Sequence, residues 1–233
     1  MTLNILKICH ISLRQTLRLT GALLFLVVLL KPLSADSAPK ATEIRNESSN
    51  KKTLLLIGDS LSAAYNMKTS DGWVALLEKQ LQNSYPNWQV VNTAVSGDTI
   101  ENAIQHLNSY LTKGQPDLIL IEIGGNDGLR GHPLPNIQKN LESLVKKALS
   151  ATPNVGVMEI MIPPNYGPIY TQKFRAIYHN IAQKFSVALI PFPLDKIATD
   201  PSLMQADGLH PTAAAQPLLL EQVWPEIRDL VNK

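Results

Sequence analysis

The chain has 233 residues, of which 21 are Lys or Arg and 19 are Asp or Glu, with 45% hydrophobic residues and one cysteine. A balance this even, with no Lys/Arg cluster interleaved with aromatics, excludes a strongly basic nucleic-acid binder. The lone Cys9 excludes a disulfide framework and a cysteine zinc site.

Residues 1–35 hold Lys7, Arg14, Arg18 and Lys31 and no acidic residue. The ten-residue apolar run at 21–30 and then Lys31-Pro32-Leu33-Ser34-Ala35 give the layout of a secretory signal peptide, cut after Ala35. The run is well short of the ~20 residues that span a bilayer. An uncleaved N-terminal anchor is the alternative. Without the four basic residues of the leader, 17 basic face 19 acidic residues, a net of −2. The mature chain then lacks cysteine, which suits an oxidising compartment such as a bacterial periplasm. Residues 36–52 are polar, without apolar period, and read as a flexible linker.

From residue 53 to 233 short apolar runs alternate with amphipathic segments. Strands are predicted at 53–57, 89–92, 118–123, 155–161 and 188–190. Helices are predicted at 72–82, 99–111, 135–150, 171–185 and 211–231, the last interrupted by Pro217 and Pro225. Ile137, Leu141, Leu144, Val145 and Ala148, for example, fall at helical spacing. Alternating strands and helices imply an α/β fold, a three-layer α/β/α sandwich around a parallel sheet of about five strands, flavodoxin-like. About 180 residues suffice for one such domain.

Chemistry collects at the predicted strand ends. Gly58-Asp59-Ser60-Leu61 follows the first strand, Ser96-Gly97-Asp98 the second, and Gly124-Gly125-Asn126-Asp127 the third. Parallel strands bring these ends to one edge of the sheet. Asp207-Gly208-Leu209-His210 follows the last strand, with Pro211 suited to open a helix. A serine hydroxyl attacks only when a neighbouring base takes its proton, and imidazole suits that task near neutral pH. Asp207, three residues before His210, can orient the ring on a single turn. The backbone N–H groups of Ser60 and Gly97 and the side-chain amide of Asn126 are candidate donors to an oxyanion. His106, His132 and His179 have no Asp at comparable spacing and read as structural or exposed. Asp59 reads as a turn-tying residue, Asp98 and Asp127 as loop or cap residues. No spacing suggests a metal, and no cofactor is expected.

Taken together, Gly58-Asp59-Ser60-Leu61-Ser62, Ser96-Gly97-Asp98-Thr99, Gly124-Gly125-Asn126-Asp127 and Asp207-Gly208-Leu209-His210-Pro211 resemble the four blocks of the SGNH (GDSL) hydrolase family. Gly125-Asn126-Asp127-Gly128-Leu129-Arg130-Gly131 and Pro164-Asn165-Tyr166-Gly167 are similar to its periplasmic thioesterase I/lysophospholipase/arylesterase group. The resemblance implies a serine hydrolase of carboxylic esters and thioesters: Ser60 as nucleophile, His210 as base, Asp207 as its orienter, and Gly97 and Asn126 completing the oxyanion hole with Ser60. Leu129, Asn165 and Tyr166 would then wall an acyl groove, beside a loop at 128–135. A carbohydrate acetyl esterase and a non-catalytic lipid- or glycan-binding module are the other readings. Acyl ester or thioester substrates, no nucleic acid, no stable membrane insertion after signal cleavage and a monomer are expected.

Overall fold

Five apolar runs become five parallel strands in a computed structural model, which describes residues 51–192 and 194–233. The predicted signal peptide and nearly all of the linker lie outside the described residues. The strands are β1 (Lys52–Gly58), β2 (Trp88–Asn92), β3 (Leu118–Glu122), β4 (Val155–Glu159) and β5 (Ala188–Pro191), hydrogen-bonded in the order β2-β1-β3-β4-β5. In register, Leu55 faces Val91 on one side and Ile119 on the other. Leu54, Leu55, Leu56, Ile57 and the run from Leu118 to Ile121 are all buried. Unbroken apolar runs of this kind belong to strands covered on both faces.

The covering helices divide by topology. Helix α1 (Trp73–Ser84) links β1 to β2 and packs against α7 (Gln216–Val231). Helices α2 (Ile100–Leu111), α4 (Leu134–Ala151) and α5 (Pro168–Phe185) run between the later strands and pack on one another. The sequence pattern of α4 survives in full: its buried residues are Ile137, Leu141, Leu144, Val145 and Ala148. Chain direction across the sheet reverses between β1 and β3, the switch point at which open α/β sheets bind ligands.

Two expectations are corrected. The C-terminal helix begins at Gln216, not at Pro211, because Pro211 pairs with Met204 in an isolated bridge and a short 3-10 turn, Ala213–Ala215, intervenes. Neither proline breaks it. Pro217 lies in the first turn, where no N–H bond is lost, and Pro225 lies on the exposed face inside a continuous helix. Two short helices, α3 (Gly125–Leu129) and α6 (Leu194–Ala198), have no counterpart in the sequence reading. No helix among the described residues is long and apolar enough to cross a membrane.

Candidate active site

Ser60 stands just beyond β1, on a turn closed by backbone bonds from Ser62 and Ala63 to the Asp59 carbonyl. The Asp59 carboxylate tightens that turn by accepting the Leu61 N–H at 3.1 Å. Glu122, at the end of β3 and fully buried, holds it from below. Its Oε2 accepts Ser62 Oγ at 2.7 Å and, more distantly, the Asp59 N–H at 3.4 Å. Burial, and then the neighbouring Asp59 charge, push the Glu122 carboxyl well above its usual range. Burial likewise lifts Asp59 to about 6, against the pull of the Leu61 N–H.

His210 arrives from the far end of the sequence. Its Nε2 lies 2.9 Å from Ser60 Oγ, and its Nδ1 lies 2.7 Å from Asp207 Oδ2. Asp207 Oδ1 accepts the N–H groups of Leu209 (2.9 Å) and His210 (3.0 Å), so the same carboxylate shapes the loop and meets the ring. Desolvation is the largest single influence on Asp207 and raises it, but these N–H bonds and the imidazole together outweigh it and hold the carboxyl at about 2. Chemically, a serine, an imidazole and a carboxylate in this arrangement can pass the serine proton to the ring while the carboxylate fixes the ring on its other side.

The loop that carries His210 is riveted to the loop that carries Ser60 by Gln205. Its Nε2 donates to the carbonyls of Tyr65 and Pro211, each at 3.0 Å, and its Oε1 accepts Asn66 Nδ2 at 3.1 Å. Its backbone N–H reaches the His210 carbonyl at 2.8 Å. The Tyr65 ring packs against the imidazole with centroids 4.4 Å apart. Neither Gln205 nor Tyr65 belongs to a motif, and only their placement reveals them.

Gly97 and Asn126 line the same cleft as Ser60. Among the described residues the backbone N–H groups of Ser60 and Gly97 have no protein acceptor. Gly97 adopts a φ of +87°, a region costly for other residues, and Arg130 Nη2 fixes its carbonyl at 2.9 Å. Asn126 rides on α3, which Gly124 admits. With φ at +114°, a Cβ there would stand 2.4 Å from the Tyr178 hydroxyl, itself bonded to the Ile123 carbonyl at 2.9 Å. Asn126 Nδ2 donates to the Asp98 carbonyl at 3.0 Å and makes a long contact of 3.4 Å to Asp59 Oδ2. Asp127 Oδ2 accepts the N–H of Ile100, the first residue of α2, at 3.1 Å.

The cleft has a volume of about 820 Å³ and is lined chiefly by apolar side chains, Leu129, Ile160, Ile162 and Leu194 among them. Of the three predicted wall residues only Leu129 lines it. Asn165 is exposed on the 3-10 turn Pro164–Tyr166, and the Tyr166 hydroxyl donates to the Leu129 carbonyl at 2.8 Å, bracing the wall from behind. Pro163, Pro164 and Pro168 form the surface on that side. The other histidines are better partnered than their sequence neighbours indicate: His106 pairs with Asp98 at 2.8 Å, His179 with Glu159 at 2.7 Å, and His132 faces Asp127 at 3.5 Å. Among the described residues no three His, Cys, Asp or Glu side chains gather as a metal site.

Residues 56–217 match the model of the GDSL-like lipase/acylhydrolase family. The chain is 45% identical over 180 residues to esterase TesA of Pseudomonas aeruginosa, across 77% of this chain and 90% of that protein. It is 39% identical over 180 residues to thioesterase 1/protease 1/lysophospholipase L1 of Escherichia coli, across 77% of this chain and 85% of that one. The crystal structure of psychrotrophic esterase EstA from Pseudoalteromonas sp., inhibited by monoethylphosphonate, matches with a TM-score of 0.73 at 38% identity, across 78% of this chain and 100% of that one.

Proposed function

The chain belongs to the GDSL-like lipase/acylhydrolase family, and on that premise we propose that it hydrolyses carboxylic esters and thioesters through an acyl-enzyme on Ser60. The observation that carries the mechanism is the unbroken run of two short contacts, Ser60 Oγ to His210 Nε2 at 2.9 Å and His210 Nδ1 to Asp207 Oδ2 at 2.7 Å. His210 takes the serine proton as Oγ attacks the acyl carbonyl, and the imidazolium that forms sits against the Asp207 carboxylate. The N–H groups of Ser60 and Gly97 are free to receive the oxyanion, and Asn126 Nδ2 joins them by giving up its long contact to Asp59. The imidazolium then protonates the departing alcohol or thiol. Water, activated by the same histidine, releases the acid and restores Ser60.

The apolar cleft supports acyl chains longer than acetate, and the relatives' names point to esters, thioesters and lysophospholipids as substrates. The leader pattern supports an exported, periplasmic enzyme, and the lack of a Lys/Arg cluster interleaved with aromatics supports one that binds no nucleic acid. In that compartment envelope lipid esters, not acyl-CoA, are the natural substrates. The test is a serine-directed phosphonate with mass spectrometry, beside p-nitrophenyl ester turnover. One adduct on Ser60, with adduct and turnover both lost in Ser60→Ala, is expected. Turnover that survives Ser60→Ala refutes the mechanism.

A further inference from the structure

The cleft runs sideways from Ser60 across the carboxyl edge of the sheet. Ser60 follows β1, Leu129 lies on α3 after β3, Ile160 and Ile162 follow β4, and Leu194 opens α6 after β5. From the β1 column to the β5 column there are three strand spacings, together roughly 14 Å. An extended chain advances roughly 1.2 Å per bond, since three backbone bonds cover at most ~3.6 Å. An acyl chain of about ten to twelve carbons on Ser60 therefore reaches the far end.

That far end is not apolar. Helix α5 turns Gln172 and Arg175 into it, and α6 adds Asp195. Arg175 is held in place there: its Nε and Nη2 both reach Glu159, a buried carboxylate at the end of β4 that also receives His179 Nε2 at 2.7 Å. Burial raises the Glu159 carboxyl, but the bonds from Arg175 and His179 prevail and keep it below the usual range. The Glu159 carboxylate in turn, and then the Asp195 charge, strengthen Arg175's hold on its proton. About half of the Arg175 side chain remains in contact with solvent.

We infer that Arg175 and Asp195 form a charged end wall to the acyl groove, which selects medium-length acyl chains and admits longer ones only when their far end carries a hydroxyl. This deepens the acyl-Ser60 reading and rests on it. Each methylene buried short of the wall improves kcat/KM about fourfold. A methyl pressed against the wall strips water from two charges without replacing its hydrogen bonds, whereas a terminal hydroxyl replaces them.

The test uses p-nitrophenyl esters from butyrate to palmitate, with dodecanoate compared against 12-hydroxydodecanoate. The parent enzyme is expected to peak at about eight to ten carbons and to prefer the hydroxylated twelve-carbon ester by about tenfold. Two independent variants remove the wall: Asp195→Leu, and Arg175→Met combined with Glu159→Gln so that no buried carboxylate is left unpaired. Both should raise the dodecanoate-to-butyrate ratio of kcat/KM at least about tenfold and bring the hydroxyl preference close to one. A ratio and a hydroxyl preference unmoved in both variants overturn the end wall. Failure of the underlying reading shows separately, as butyrate hydrolysis that survives Ser60→Ala, and it takes the end wall with it.

Discussion

Exchanging Asp207 for Asn separates the chemistry of the site from its folding. The amide oxygen can keep both backbone bonds that Oδ1 now accepts, at 2.9 and 3.0 Å. The amide nitrogen then stands where Oδ2 lay, 2.7 Å from His210 Nδ1. Two donors cannot face each other there, so Nδ1 becomes the acceptor and the ring proton moves to Nε2. That proton points at Ser60 Oγ, 2.9 Å away, and the base can no longer take the serine proton. The loss expected is about 10⁴ in kcat, or about 5.4 kcal/mol of barrier. The stability change is far smaller. A carboxyl held at about 2 instead of its ordinary 3.8 corresponds to about 2.4 kcal/mol before screening. With 37% of the Asp207 side chain exposed, solvent reduces this to on the order of 1 kcal/mol. Because the folded pKa is depressed, that increment is fully present above the ordinary carboxylate pKa and disappears as pH falls through about 2. The assay is kcat for p-nitrophenyl butyrate at neutral pH beside the urea midpoint of the same preparation. A folded Asp207→Asn enzyme with less than about a hundredfold loss would refute the assignment of His210 as an oriented base.

Asn126→Ala should lower kcat by about 10²–10³ with little change in urea midpoint, and unchanged turnover removes Asn126 from the oxyanion hole. Asp59 is a raised acid, so its contribution has the opposite sign. Folding is helped below the ordinary carboxylate pKa of 3.8, and the help is lost as pH rises through about 6. Relative to the parent, Asp59→Asn should therefore gain on the order of 3 kcal/mol of stability between pH 4 and pH 7, measured by urea unfolding at both. A difference that does not vary with pH contradicts this. Gly124→Ala places a methyl 2.4 Å from the Tyr178 hydroxyl at a φ of +114° and should destabilise by several kcal/mol. Tyr178→Phe in the same chain should return part of that loss by removing the oxygen, and strict additivity of the two changes would show that the collision is not the cause.

The five strands were legible because parallel strands buried on both faces leave continuous apolar runs, and at Leu54 to Ile57 the shortness of the run and the Gly58 that ends it favour a strand over a buried helix. Ser60, Gly97 and Asn126 stood out because each follows a strand closely, whereas Asp207 and His210, beyond β5, α6 and a 3-10 turn, stood out only as a motif with its own internal spacing. Helix α3 was not. Gly124-Gly125-Asn126-Asp127-Gly128 has the composition of a loop, and its helical turn depends on Tyr178 and on Phe174, which leaves no room for a Cβ at Gly128. The helix start was misplaced at Pro211 because a proline after a histidine looks the same whether it opens a helix or closes a bridge to Met204. Nor does one sequence show which carboxylate a histidine meets. Asp98 lies just before the N-cap of α2 and His106 eight residues on within that helix, and only the angle at which the chain enters the helix brings them together. Of the expected groove residues Leu129 lines the cleft, whereas Asn165 and Tyr166 do not, because the 3-10 turn presents Pro163, Pro164 and Pro168 to it.

The rivet at Gln205 has a consequence for motion. Its side chain and backbone bind Tyr65, Asn66, Pro211 and the His210 carbonyl at once, so the loop that carries His210 cannot move away from the loop that carries Ser60 without breaking several bonds together. The facing wall is built differently. Gly131 and Gly167 stand at left-handed φ values of +69° and +88° with open space around both, and the Tyr166 and Tyr170 hydroxyls tie the two segments to each other through the carbonyls of Leu129, Gly128 and His132. The two sides of the cleft are thus held in different ways: the Ser60 and His210 loops are bonded to each other, whereas the facing wall is bonded within itself and would shift as one piece.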